Sequence, residues 1–110
     1  MISTALLAEF RADQLVYHFH DTRGTAIANV AQAMEDGINS FDSSAAGLGG
    51  CPYAKGAGGN LATDDLVYFL ERMGVETGIN PISLAEASIP ILEFLGKPVN
   101  SKAQQAQLAC

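Results

Sequence analysis

The run Ser44-Ala45-Ala46-Gly47-Leu48-Gly49-Gly50-Cys51-Pro52-Tyr53 sets a thiol in a glycine-rich stretch, and the only other cysteine, Cys110, is the last residue of the chain. Glycines on both sides let the backbone take positive φ angles and approach a ligand closely, at an entropic cost that core packing gives no reason to accept. Cys51 therefore marks a candidate working site; the bland reading is a buried, inert Cys in a turn. Upstream, Leu15-Val16-Tyr17-His18-Phe19-His20-Asp21-Thr22 reads as a short β-strand that ends at a turn before Gly24. Strand side chains alternate faces, so His18 and His20 share one. Two imidazoles at the carboxyl end of a buried parallel strand can coordinate one divalent ion. The spacing alone fits hydrogen-bonded core histidines equally well.

The elements that must position these residues alternate strand and helix. A helical scrap near Ser3 to Ala12 precedes the strand Leu15 to His20, and a helix runs from about Thr25 to Asp36, stopped by Gly37. Ile38 to Asp42 reads as a second strand that opens into the glycine loop. A helix from Asp64 to Met73 follows, capped by Thr63 and stopped by Gly74, with Asp64 and Asp65 suiting its positive first turn. Its Leu66, Phe69, Leu70 and Met73 recur at core-packing spacing. Val75 to Ile79 is a possible third strand, and Asn80 with Pro81 opens another helix that Gly96 and Pro98 close. We take residues 1–98 as the domain and 99–110 as a tail, either a terminal helix or a frayed end. The pattern is α/β, yet two or three strands cannot cover both faces of a sheet or close on themselves, so it reads as part of a larger parallel sheet.

The loop, continued through Ala54-Lys55-Gly56-Ala57-Gly58-Gly59-Asn60-Leu61-Ala62-Thr63, resembles the active-site signature of the 3-hydroxy-3-methylglutaryl-CoA lyases of the DRE-TIM metallolyase superfamily. The His-x-His-Asp-Thr strand resembles the metal-binding strand of the same family. The resemblance implies a fragment of a (β/α)8 TIM barrel, an architecture of about 250 residues. Only the last two or three βα units and a C-terminal helical segment match, the carboxyl-terminal third. It implies metal ligation by His18, His20 and Asn60, with Mg²⁺ or Mn²⁺ as the cofactor and Cys51 as the acid. It further implies an acyl-CoA substrate, 3-hydroxy-3-methylglutaryl-CoA, cleaved to acetyl-CoA and acetoacetate. The first-strand Asp ligand and adjacent Arg of those lyases have no counterpart here, so the isolated chain is expected to hold a partial, inactive site. Asp64 departs from the family's usual Glu. Asp21 is read as either orienting an imidazole or making a turn with Thr22, and Asp42, Ser43 and Ser44 as either substrate contacts or turn residues.

Related synthase and carboxyltransferase barrels share the His-x-His strand, but the Cys51 loop separates them from the lyases. A reading from another class is a non-catalytic barrel remnant that binds metal or a partner, with self-association through exposed barrel edges. The 110 residues carry a net charge of −6 and a pI near 4.6, and six scattered Lys and Arg argue against a nucleic-acid surface. The amino terminus has neither a basic n-region nor an apolar run long enough for a membrane span, so no membrane association and a reduced, cytoplasmic setting are expected. A structural disulfide framework is not expected from two cysteines.

Overall fold

The computed structural model describes residues 2–49 and 59–109. The elements that shape the site are two short strands, β1 (Tyr17–His18) and β2 (Phe41–Asp42), each followed in sequence by a helix, α2 (Ala26–Glu35) and α3 (Thr63–Arg72). The strands pair in parallel, Tyr17 opposite Phe41 and His18 opposite Asp42. Parallel strands require a crossover, and α2 is that crossover. The molecule is a slab, 44 × 34 × 19 Å along its principal axes.

Alternation decides which side chains enter the core. Phe19 and Phe41 turn toward the helices and pack against the buried cluster of Ala26, Val30, Leu61 and Leu66, joined by Ile27, Met34, Phe69 and Leu70. In α2 the buried residues Ala26, Val30 and Ala33 follow helical periodicity. The Asp21 carboxylate accepts the Ala26 N–H at 3.1 Å, supplying an acceptor at the helix start. In α3, Leu66 is buried as expected, but Met73 is 62% exposed because it lies just past the last helical residue.

Several expectations need correction. The amino-terminal helix, α1 (Ile2–Leu7), stops short of Ala12, which begins a separate 3-10 turn, Ala12–Gln14, closed by the Gln14 side chain on the Arg11 N–H. No third strand forms at Val75 to Ile79 among the described residues. Thr77 there donates through its N–H and its hydroxyl to Glu71 Oε1 at 3.2 and 2.7 Å, folding the segment back on α3. Asn80 does cap a helix, accepting from the Ile82 and Ser83 N–H groups, but that helix divides into α4 (Pro81–Ala87) and α5 (Ile89–Leu95). Pro90 causes the break, since it has no N–H to donate and its ring crowds the carbonyl four residues earlier.

Of the two readings for the stretch after Pro98, the helix is found, as α6 (Lys102–Ala109). It docks on α3 and α4. Asp65 Oδ1 accepts the Ser101 hydroxyl and the Ala103 N–H at 2.8 and 2.9 Å, and fully buried Gln104 donates to Ala85 O and Ser88 Oγ. Among the described residues no helix is long and apolar enough to cross a membrane.

Candidate metal and catalytic site

The strand face opposite the core carries the histidines. The His18 and His20 rings meet edge to face with centroids 5.0 Å apart, so the two imidazoles stand on one face as the period-two reading requires. Asn60 reaches the same face through the backbone. It bridges His20 in an antiparallel pairing, and directly opposed residues of such a pair project their side chains to the same side. The segment from Gly59 to Thr63 runs across the carboxyl ends of both strands. Asp21 N–H donates to Gly59 O and Leu61 N–H to Phe19 O, while Ser44 N–H donates to Leu61 O and Thr63 N–H to Ser44 O. The three residues expected to ligate are thereby brought together. Cys51, the expected acid, lies outside the described residues.

His18 Nδ1 lies 2.5 Å from Asp42 Oδ1. The in-register pairing of β1 with β2 produces this contact by setting the two side chains side by side. It leaves Nε2 of His18 as the ring nitrogen available to a ligand. Of the two readings for Asp21 the turn is found, since its carboxylate serves the start of α2, and the contact with an imidazole falls instead to Asp42, for which only substrate contact or a turn was expected. That role depends on strand register, which residue spacing alone does not specify.

Asn60 is fixed more tightly. Its Nδ2 donates to Leu48 O at 2.9 Å, a bond that does not use the amide oxygen, which has no partner among the described residues. Gly49, at φ +104°, has no side chain where a Cβ would sit 2.5 Å from Asn60 Nδ2, and Gly47, at φ +71°, leaves room for the Asn60 carbonyl. The stems of the loop are tied again by Ser43 Oγ and Thr63 Oγ1 at 2.7 Å. Thr63 is thus not the helix cap expected of it; Ala62 holds that position, without a side-chain bond, and Thr63 is the first helical residue with its hydroxyl turned to the loop stem. Asp64, despite being one methylene shorter than Glu, reaches the loop. Its Oδ1 accepts the Ala46 N–H at 2.8 Å in a buried contact.

Among the described residues no three His, Cys, Asp or Glu side chains converge to hold a metal ion. The candidate donor set is instead two imidazoles and an amide oxygen, with a carboxylate behind one imidazole. That set suits a divalent cation: neutral nitrogen and oxygen donors leave positions open for substrate, and a carboxylate on the far ring nitrogen is the usual support of a ligating histidine.

Comparison with known proteins places the chain in a family. The HMGL-like family model matches residues 4–91. Hydroxymethylglutaryl-CoA lyase YngG of Bacillus subtilis is 54% identical over 98 residues, covering 89% of this chain and 33% of the relative. The crystal structure of hydroxymethylglutaryl-CoA lyase from Pseudomonas aeruginosa superposes with a TM-score of 0.92 at 46% identity, over 96% of this chain and 35% of that one. A lyase from Acinetobacter baumannii, in complex with coenzyme A and 3-methylmalate, gives 0.85 at 40% identity over 96% and 34%. The chain spans about a third of the length of the relatives it matches, the share expected of the carboxyl-terminal third of a TIM barrel. An HMGL-like match over most of its length, with solved lyases sharing both fold and sequence, shows that this chain belongs to the HMGL-like family.

Proposed function

We propose that this chain carries the metal-binding and proton-donating part of a carbon–carbon lyase that cleaves 3-hydroxy-3-methylglutaryl-CoA to acetyl-CoA and acetoacetate. The observation that carries the reading is the shared face of His18 and His20, rings 5.0 Å apart, with Asn60 paired opposite His20. The HMGL-like family implies a divalent metal, and Mg²⁺ or Mn²⁺ suits these donors. Such an ion, if bound, would supply Lewis acidity that lowers the pKa of the substrate's tertiary hydroxyl, whose proton would pass to a general base. His18 and His20 would hold it through ring nitrogens, with Asp42 on the Nδ1 of His18 fixing that ring, and the Asn60 amide oxygen would add a third donor.

The bond between carbon 2 and carbon 3 then breaks. Its electron pair moves to carbon 2 as the enolate of acetyl-CoA, and carbon 3 becomes the ketone of acetoacetate. Cys51 gives its thiol proton to carbon 2, leaving a thiolate. A thiol with that duty must stay reduced, which favours a reducing compartment such as the cytoplasm. The binding of coenzyme A by the Acinetobacter relative supports an acyl-CoA substrate.

Three donors and a two-stranded sheet make a partial site, so the isolated chain is inactive in this reading, and its sheet edges favour pairing with further strands or a second copy. The test is acetyl-CoA release from 3-hydroxy-3-methylglutaryl-CoA with Mg²⁺. It compares the chain alone, a fusion supplying the amino-terminal strands of an intact lyase, and that fusion with Cys51→Ser. We expect activity only in the fusions, with Cys51→Ser lowering kcat far more than it raises KM, because a hydroxyl is a much weaker acid than a thiol. Robust turnover by the chain alone would overturn the partial-site reading, and an undiminished Cys51→Ser fusion would remove the thiol from the mechanism.

A further inference from the structure

Asp64 is a buried carboxylate, 6% exposed, that the mechanism does not use. A helix-dipole role does not account for its burial, since the neighbouring Asp65 already supplies an acid to the first turn of α3 at less cost in desolvation. Only one of its oxygens has a hydrogen-bond partner among the described residues, and that partner is the Ala46 N–H. Ala46 is the one non-glycine at positive φ among the described residues, at φ 57° and ψ 11°. An alanine in that conformation is strained and persists only where its surroundings impose it. The buried bond to Asp64 is the side-chain contact that the Ala46 N–H makes.

The consequence runs through the backbone of the turn Ala45–Gly47. Its closing bonds, Gly47 N–H to Ser44 O and Leu48 N–H to Ala45 O, hold the turn that leads into Leu48. The Leu48 carbonyl is the acceptor for Asn60 Nδ2, and the bond decides which way the Asn60 amide oxygen faces. We propose that Asp64 is a positioning residue: by holding Ala46 left-handed it sets the Leu48 carbonyl, and so presents the Asn60 oxygen to the ion between the histidines. The inference rests on the proposed metal site for its purpose, but the linkage itself exists without metal. Asp65 provides an internal contrast, because its carboxylate faces away from the loop and binds the start of α6.

The experiment uses the full chain and three substitutions, Asp64→Ala, Asp64→Asn and Asp65→Ala. In metal-free protein, amide hydrogen exchange is read at Ala46, Tyr17 and Ala103, with the NMR signals of the Asn60 side-chain NH₂. Asp64→Ala is expected to speed Ala46 exchange about 10-fold and shift the Asn60 signals while leaving Tyr17, whose N–H donates to Ser40 O, unchanged. Asp64→Asn keeps an oxygen acceptor and is expected to restore most of both readouts. Asp65→Ala should speed exchange at Ala103 only. With Mn²⁺ added, Asp64→Ala should weaken binding about 10-fold, as loss of support behind a ligand does. Uniformly faster exchange at all three amides, no rescue by Asn, or unmoved Asn60 signals would overturn the positioning role. Failure of the unsubstituted chain to bind Mn²⁺ would count against the proposed metal site alone, since the metal-free readouts still decide the linkage.

Discussion

The two halves of the candidate site are built in opposite ways. The histidine half stands at an open sheet edge: the His18 and Asp42 side chains are 48% and 58% exposed, and their bond joins neighbouring strands. The Asn60 half is a corner locked from behind, with its amide on Leu48, its backbone bridged to His20, and a buried carboxylate under the turn that carries Leu48. A ligand needs a fixed donor, and the fold supplies fixity by two routes. Both groups are planar and turn about the same two side-chain torsions, but one partner holds the His18 imidazole, whereas the Asn60 amide has its nitrogen tied and the adjoining turn anchored.

The comparison breaks first at the histidines. His20→Ala removes one of the two imidazole donors, and Mn²⁺ affinity by isothermal titration should fall about 100-fold or more, beyond what loss of a supporting residue causes. Unchanged affinity would mean the open half holds no ion. Asp42→Ala should cost about 30-fold by freeing the His18 ring; if it costs nothing, the contact with His18 is a surface pairing without consequence. Gly49→Ala pushes a methyl against the Asn60 amide at a positive φ, so a loss of about 10-fold is expected with the His18 and His20 ring signals unmoved. A shift of the histidine signals in that variant would show that the two halves are not built independently.

The smallest effect at the site should come from Gln104→Ala. It removes buried hydrogen bonds between α6 and α4, and urea unfolding should show a loss of about 1–3 kcal/mol while Mn²⁺ affinity stays the same. Weakened Mn²⁺ binding in a still-folded variant would extend the locked corner to the far helix.

The two halves also differ in how far the sequence discloses them. Period two in a strand is enough to place His18 and His20 on one face, and Asn80 with Pro81 marks a helix start by local chemistry alone. Asp42 meeting His18 depends on strand register, and Asp64 meeting Ala46 depends on how a loop stem folds over a helix, so neither follows from spacing. The break between α4 and α5 was legible in Pro90, whose missing N–H contradicts one continuous helix. The absent third strand was not, because a short extended run such as Val75 to Ile79 becomes a strand only where a neighbour pairs with it.

The most direct test of the account is the nitrogen modulation of the electron spin echo from Mn²⁺ bound to the chain. Coupling to two imidazole nitrogens, reduced to one by His20→Ala, is the predicted result. No nitrogen coupling, or two couplings that survive His20→Ala, would contradict a site in which His18 and His20 share one ion.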